Sequence, residues 1–294
     1  MTQTYIGRFA PSPTGPLHFG SLVCALASYL DAKIHQGRWL VRLEDIDPPR
    51  EMPGASDCIL RSLEHHGLFW DAPLVRQSQR HEAYKTTLTW LYNQGLTYPC
   101  NCSRKRLEAL GDKYDGYCLT HPPTGPTAWR IQVASGVTVS FSDRHLGPQH
   151  AALGKQGDFI IHRKDGLYAY TLAVVVDDWQ QGITQVVRGS DLLEATGRQI
   201  YLFNLLNTPA PNYCHIPVVT NEAGQKLSKQ NLAPALNNST PSENLWRALW
   251  ALGAKPALSL KKASVSDLLT WGQANWQIEQ LPPGPQQPQS ALPE

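Results

Sequence analysis

The fold is decided by Arg8-Phe-Ala-Pro-Ser-Pro-Thr-Gly15-Pro-Leu-His18-Phe-Gly20-Ser21. Residues 5–10, on its N-terminal side, have the composition of a strand. On the other side Leu22, Leu26, Leu30 and Ile34, supported by Val23 and Ala27, repeat with a helical period. The string is therefore a loop between a strand and a helix. Glycine lets a backbone approach phosphates closely, and a helix start offers free N–H groups and a positive dipole end. His18 at that point can donate a hydrogen bond to a triphosphate. A bare G-x-x-H-x-G would be read as an ordinary turn with a surface histidine. The whole string in a strand–loop–helix context points instead to nucleotide binding.

Outward from this loop, Trp39, Val41 and Leu43 alternate with Arg42 in a second strand that stops at Asp47-Pro48-Pro49, and residues 56–66 are again helical. A βαβα opening predicts an α/β fold with a Rossmann-type, doubly wound parallel sheet. Residues 1–98 form its first half. Between 99 and 157 the chain is rich in Gly, Pro, Cys and His without long periodic stretches, as in an insertion held by something other than a large core. The second half, 158–235, resumes with residues 158–162. The apolar run 172–176 reads as a strand buried on both faces, with Asp177 and Asp178 at its end as further candidates to face a ligand. A strand over 183–187, a helix over 191–206 and a closing strand over 213–219 follow. Residues 236–280 form a short helical C-terminal region, with helices over 242–252 and 265–276. The Pro/Gln-rich end, 281–294, reads as a disordered tail. There are no internal repeats.

Of the 294 residues 41% are hydrophobic and 17% charged, ordinary for a globular protein with one or two domains. No apolar run approaches the ~20 residues of a membrane-spanning helix. The first residues lack the basic and apolar regions of a signal peptide, so a cytoplasmic location is expected. The net charge of +2 permits a nucleic-acid partner without arguing for one. Cysteines at 100, 102 and 118 cluster, whereas Cys24, Cys58 and Cys214 are scattered and read as packing residues. That is the pattern of a metal site, not of a disulfide framework.

Three groups of residues carry chemistry. Lys226-Leu-Ser-Lys229 follows a turn at Asn221-Glu-Ala-Gly224, so these cations can close over a bound nucleotide. When a carboxylate attacks the α-phosphate of ATP, negative charge grows on the phosphates, and fixed cations aimed there stabilise the transition state. Arg8, Glu44, Tyr170 and Arg188 suit an amino acid bearing two carboxylates and an ammonium. Arg8 lies on the first strand, and Glu44 and Arg188 at strand ends, the sheet edge where ligands bind. Cys100 and Cys102, two apart on an extended segment, point the same way and with Cys118 supply three zinc ligands. Tyr114 and His121 compete for the fourth place, and a site closed by protein ligands would be structural.

Residues 11–21 resemble the first signature of the class I aminoacyl-tRNA synthetases, and Lys226 to Gln230 resemble the second, over a match spanning most of residues 5–235. Arg8 to Ser12 and Glu44-Asp45-Ile46-Asp47 are similar to the glutamate-specific branch. The resemblance implies ATP as substrate, Mg2+ with it, and a triphosphate held by His18, Gly20, Ser21, Lys226 and Lys229, with His18 and Lys229 catalytic. It implies a glutamate subsite along Arg8, Phe9, Ala10, Pro11 and Ser12. There Arg8, Tyr170 and Arg188 meet the side-chain carboxylate and Glu44 the amino group. It also favours Tyr114 over His121 as the fourth ligand of one structural Zn2+. Ser21 departs from the signature, whose last residue is a histidine.

Full-length glutamate enzymes continue into a large helical anticodon-binding domain, for which the 64 residues after Gln230 leave no room. The closer resemblance is to the truncated glutamyl-queuosine branch. It implies transfer of L-glutamate to the queuosine base in the anticodon of tRNA(Asp). Transfer to a tRNA 3′ end, another small acceptor, and a non-catalytic RNA-binding module are the alternatives.

Overall fold

The computed structural model describes residues 4–111, 114–221, 224–226 and 234–293. The strands are β1 Ile6–Phe9, β2 Arg38–Leu43, β3 Val75–Arg76, β4 Thr97–Cys100, β5 Ala128–Ile131, β6 Val139–Asp143, β7 Gly147–Ala151, β8 Phe159–His162, β9 Gln185–Gly189, β10 Asn212–Ile216, β11 Val218–Thr220 and β12 Gln286–Pro288. The helices are α1 Phe19–Ile34, α2 Ala55–His65, α3 His81–Asn93, α4 Arg104–Ala109, α5 Tyr117–Thr120, α6 Leu153–Gln156, α7 Tyr170–Gln180, α8 Leu193–Leu205, α9 Pro241–Ala251 and α10 Val265–Asn275.

Parallel pairing runs β1-β2-β3 on one side, and β9 pairs parallel with β10 on the other. The halves meet where the Thr184 N–H donates to the Ile6 carbonyl at 2.9 Å, giving the order β3-β2-β1-β9-β10 of a doubly wound sheet. Between the halves stand an antiparallel sheet β4-β5-β8 and the hairpin β6–β7, which joins β10 at Asp143↔Tyr213. No helix among the described residues is long and apolar enough to cross a membrane.

Two apolar cores flank the sheet. In the first, Leu22, Leu26 and Leu30 of α1 pack with Trp39 and with Trp246, Leu249 and Leu268 from α9 and α10. The second gathers α7, Phe203 of α8 and the floor of the insertion sheet. Asp31, fully buried on α1, is satisfied by Arg144, the Tyr5 hydroxyl and Trp276 Nε1, which donates at 3.1 Å.

Three expectations are corrected. The run 172–176 is the middle of helix α7, not a strand. All five residues are buried, so no polar face remains to reveal a helical period. The closing strand breaks at Pro217 into β10 and β11, because proline has no N–H for the ladder. Residues 281–293, expected as a disordered tail, are built into the fold. β12 adds to β11 in parallel, Ser190 Oγ donates to the Pro285 carbonyl, and Gln287, buried, donates to the Ala251 carbonyl at 2.7 Å. Glutamine pays for its burial here through side-chain hydrogen bonds that composition alone does not disclose.

Candidate active site

One cavity of about 570 Å3 opens at the C-terminal ends of β1, β2 and β9. Its walls bring together the expected residues Arg8, Phe9, Ala10, Pro11 and Ser12 from β1 and its loop, and Glu44, Tyr170 and Arg188. His18, Gly20, Ser21 and Lys226 line the same space. Lys229 lies outside the described residues.

His18 is the N-cap of α1, its Nδ1 accepting the Ser21 N–H at 3.3 Å. The Ser21 hydroxyl lies 3.0 Å from His18 Nε2. The serine that replaces the signature histidine thus braces the remaining one. Lys226 reaches Asp191 at 2.5 Å across the cavity wall, and the Asn221 N–H donates to the Gln225 carbonyl at 2.8 Å, closing the turn that carries it. Cys24, expected as packing, is only partly buried and also lines the cavity.

The floor is an ionic cluster that sequence reasoning only partly reached. Arg8 Nε donates to Asp178 Oδ1 at 3.3 Å and Nη2 to Oδ2 at 3.4 Å. Arg42, wholly buried, reaches Asp178 at 2.8 Å, Glu44 at 3.3 Å and Asp177 at 3.8 Å. Asp177 is further held by Gln77 at 2.8 Å, the Tyr84 hydroxyl at 2.7 Å and Arg80. Neither Asp177 nor Asp178 lines the cavity; Asp178 anchors the lining Arg8, and both hold Arg42 behind the wall. Burial alone would push the Asp178 carboxyl up, but Arg8 and Arg42 more than offset it and hold it below the usual carboxylate range. Burial pushes the Glu44 carboxyl up, and Arg42 and Arg8 offset only part of that.

Arg188 presents a different environment. Its Nη2 donates to Thr196 at 2.7 Å and to Gln199 at 2.8 Å, and its Nε donates to His215 at 3.1 Å. Its Nη1, buried, has no hydrogen-bond partner within the protein. A permanently charged arginine held in one orientation in the cavity wall suits a carboxylate.

In the insertion Cys100, Cys102 and Cys118 place their sulfurs within 4.8 Å of one another. The Tyr114 hydroxyl lies 3.5 Å from the sulfurs of Cys100 and Cys102 and accepts the Cys118 N–H at 3.0 Å. His121 is exposed and stacked on Tyr117 at 4.1 Å, so of the two candidates only Tyr114 packs against the sulfurs. Tetrahedral zinc with bonds of about 2.3 Å needs sulfurs roughly 3.8 Å apart, which this cluster can meet with small shifts. Burial opposes the Cys100 thiolate, but Tyr114 and Arg130 outweigh it and lower the thiol to about 7. These donors fit a metal that binds thiolates.

Residues 6–257 match the family model described as tRNA synthetases class I (E and Q), catalytic domain. The chain belongs to that family, the ligases of the class I aminoacyl-tRNA synthetase type. Within it, the chain is 53% identical over 287 residues to an Escherichia coli (strain K12) protein named Glutamyl-Q tRNA(Asp) synthetase, covering 96% of this chain and 92% of that one. A protein of the same name from Ectopseudomonas mendocina is 51% identical over 284 residues, covering 96% of both. The fold matches a crystal structure of a glutamate tRNA ligase from Elizabethkingia meningosepticum in complex with its amino acid. Its TM-score is 0.81 at 23% identity, over 98% of this chain and 67% of that one.

Proposed function

We propose that this chain activates L-glutamate with ATP and transfers it to the queuosine base in the anticodon of tRNA(Asp). The observation that carries the reading is the single cavity in which residues suited to phosphates, His18 and Lys226, face residues suited to glutamate, Arg8, Glu44, Tyr170 and Arg188. The names of the Escherichia coli and Ectopseudomonas mendocina relatives support the acceptor.

In this reading Arg188, Tyr170 and Arg8 bind the side-chain carboxylate and Glu44 the ammonium. The α-carboxylate is left to attack the α-phosphorus of ATP, and pyrophosphate departs as the glutamyl-adenylate forms. His18 donates to the phosphates from Nε2 once a phosphate oxygen takes the place of the Ser21 hydroxyl there. Lys226 and Lys229 neutralise charge on the leaving pyrophosphate. A hydroxyl of queuosine then attacks the acyl carbon, AMP leaves, and the hydroxyl proton is released. Mg2+ accompanies the nucleotide. One Zn2+, held by Cys100, Cys102, Tyr114 and Cys118, pins an insertion whose own core is small.

The test uses labelled glutamate, ATP and three RNAs: tRNA(Asp), the same tRNA from cells unable to make queuosine, and tRNA(Asp) trimmed of its 3′ terminal nucleotides. The expected result is labelling of the first and third only. Labelling that survives loss of queuosine and fails on trimming would identify a 3′-end acceptor and overturn the assignment.

A further inference from the structure

Arg188 enters the cavity with one side of its guanidinium already committed. Arginine carries only donors and keeps its proton in proteins. The 3.1 Å contact from Arg188 Nε therefore requires His215 Nε2 to be the lone-pair nitrogen. The ring proton is on Nδ1, which donates to Asp143 Oδ2 at 2.6 Å. Asp143 is itself fixed from the backbone side, where Oδ1 accepts the N–H groups of His145 at 3.0 Å and Leu146 at 2.9 Å. Asp143, His215, Thr196 and Gln199 are all at most 2% exposed, so water cannot replace these partners. The relay runs from a β-hairpin of the inserted region through the core to one cavity-lining cation, and it leaves Nη1 as the guanidinium nitrogen with nothing to bind.

We propose that Asp143 and His215 are positioning residues that fix the orientation of the Arg188 guanidinium in the cavity wall, where it meets the substrate's side-chain carboxylate. This favours glutamate over glutamine. The inference rests on the reading of this cavity as a glutamate site. With Nε held by His215 and Nη2 by Thr196 and Gln199, the guanidinium cannot turn to meet another group. It offers the ligand only a charged donor. A carboxylate accepts there, whereas an amide can present its acceptor only by surrendering charge and one of two orientations.

The tautomer is the testable element. In Asp143→Asn the side-chain oxygen keeps the backbone N–H groups, and the amide N–H then faces His215 Nδ1. The ring proton is driven to Nε2, donor against donor with Arg188. Nitrogen-15 NMR of the full chain should show an Nδ1–H tautomer for His215 in the wild type and Nε2–H in the variant. In ATP–pyrophosphate exchange the variant should raise the glutamate KM about tenfold or more, as for loss of a charge-assisted hydrogen bond. The ATP KM should be unchanged and discrimination against glutamine should fall. Should Asp143→Asn not fold, His215→Gln and His215→Phe decide. Glutamine can offer Arg188 an acceptor and should recover part of the glutamate KM, whereas phenylalanine fills the space and should not. An Nε2–H tautomer in the wild type, glutamate and ATP KM values rising in parallel, or equal behaviour of the two His215 variants would overturn the proposal. Absence of glutamate-dependent exchange in the wild type would sink the functional reading and this inference with it. Wild-type exchange with a glutamate KM indifferent to these changes would sink the positioning role alone.

Discussion

Arg42→Met isolates the cation at the base of the site. Methionine keeps most of the volume and removes the charge. In the wild type Arg42 is fully buried and lies 2.8 Å from Asp178, 3.3 Å from Glu44 and 3.8 Å from Asp177, with Gln181 at 2.7 Å. Arg8 still reaches Asp178 and Arg80 still reaches Asp177, so the loss is that of one partner, not of all compensation. Breaking a buried pair from one side costs about 3–5 kcal/mol, against a total stability of about 5–15 kcal/mol. At roughly 2–4 °C per kcal/mol for a domain of this size class, the melting temperature should fall by about 6–20 °C. The effect has a pH signature. The Asp178 carboxyl is held below its ordinary value of 3.8 in the fold, so its stabilisation is present above that value and is lost as pH falls through the lower, folded value. Arg42→Met weakens this contribution, so the gap between variant and wild type should be full at neutral pH and narrow in acid. Urea unfolding followed by tryptophan fluorescence reads both quantities. A loss below about 1 kcal/mol at neutral pH, the range of an exposed pair, would refute the reasoning, as would a gap that does not shrink in acid. The double variant Arg42→Met/Asp178→Asn should lose less than the sum of the singles.

Glu44→Gln should separate stability from binding. The Glu44 carboxyl is raised above its ordinary value of 4.5 in the fold, so its ionised form costs stability once pH exceeds the folded value. At neutral pH the glutamine variant should melt no lower than the wild type while its glutamate KM rises about tenfold or more, the worth of a charge-assisted hydrogen bond. Losing both together would count against the assigned role. Elemental analysis should find about one zinc per chain, as for a four-ligand site, and Cys102→Ser should lower both zinc content and melting temperature. Metal-free protein that melts normally would end that reading.

The nucleotide loop was legible because its chemistry is local. Strand, loop, His18 and helix follow one another in the chain, and the structure puts them on one cavity. Glu44 and Arg188 were legible from their places at strand ends. Arg42 was passed over as the polar partner in an alternating strand, a reading that assumes one wet face. In a parallel sheet covered on both sides that face is dry, and a charge there must be paired. The run 172–176 failed for the related reason that burial on every side erases the helical period. Asp143 and His215 left no signal, since their contact joins residues 72 apart in the chain. The ordered tail was hidden because pairing of β12 with β11 depends on backbone groups, to which composition is blind.

The shared core of α1 with α9 and α10 has a consequence for the time course of synthesis. The helix that carries His18 has its stripe of Leu22, Leu26 and Leu30 covered by residues from Trp246 onward, and its buried Asp31 waits for Trp276. Ribosomes add about 5–20 residues per second, so more than two hundred residues separate the two events by roughly 10–40 s. Through that interval the nascent chain carries an unfinished apolar helix, a ready client for chaperones. The half that carries His18, made first, is therefore among the last parts to become native. Proteolysis of ribosome-stalled chains should show α1 protected only once α10 has emerged.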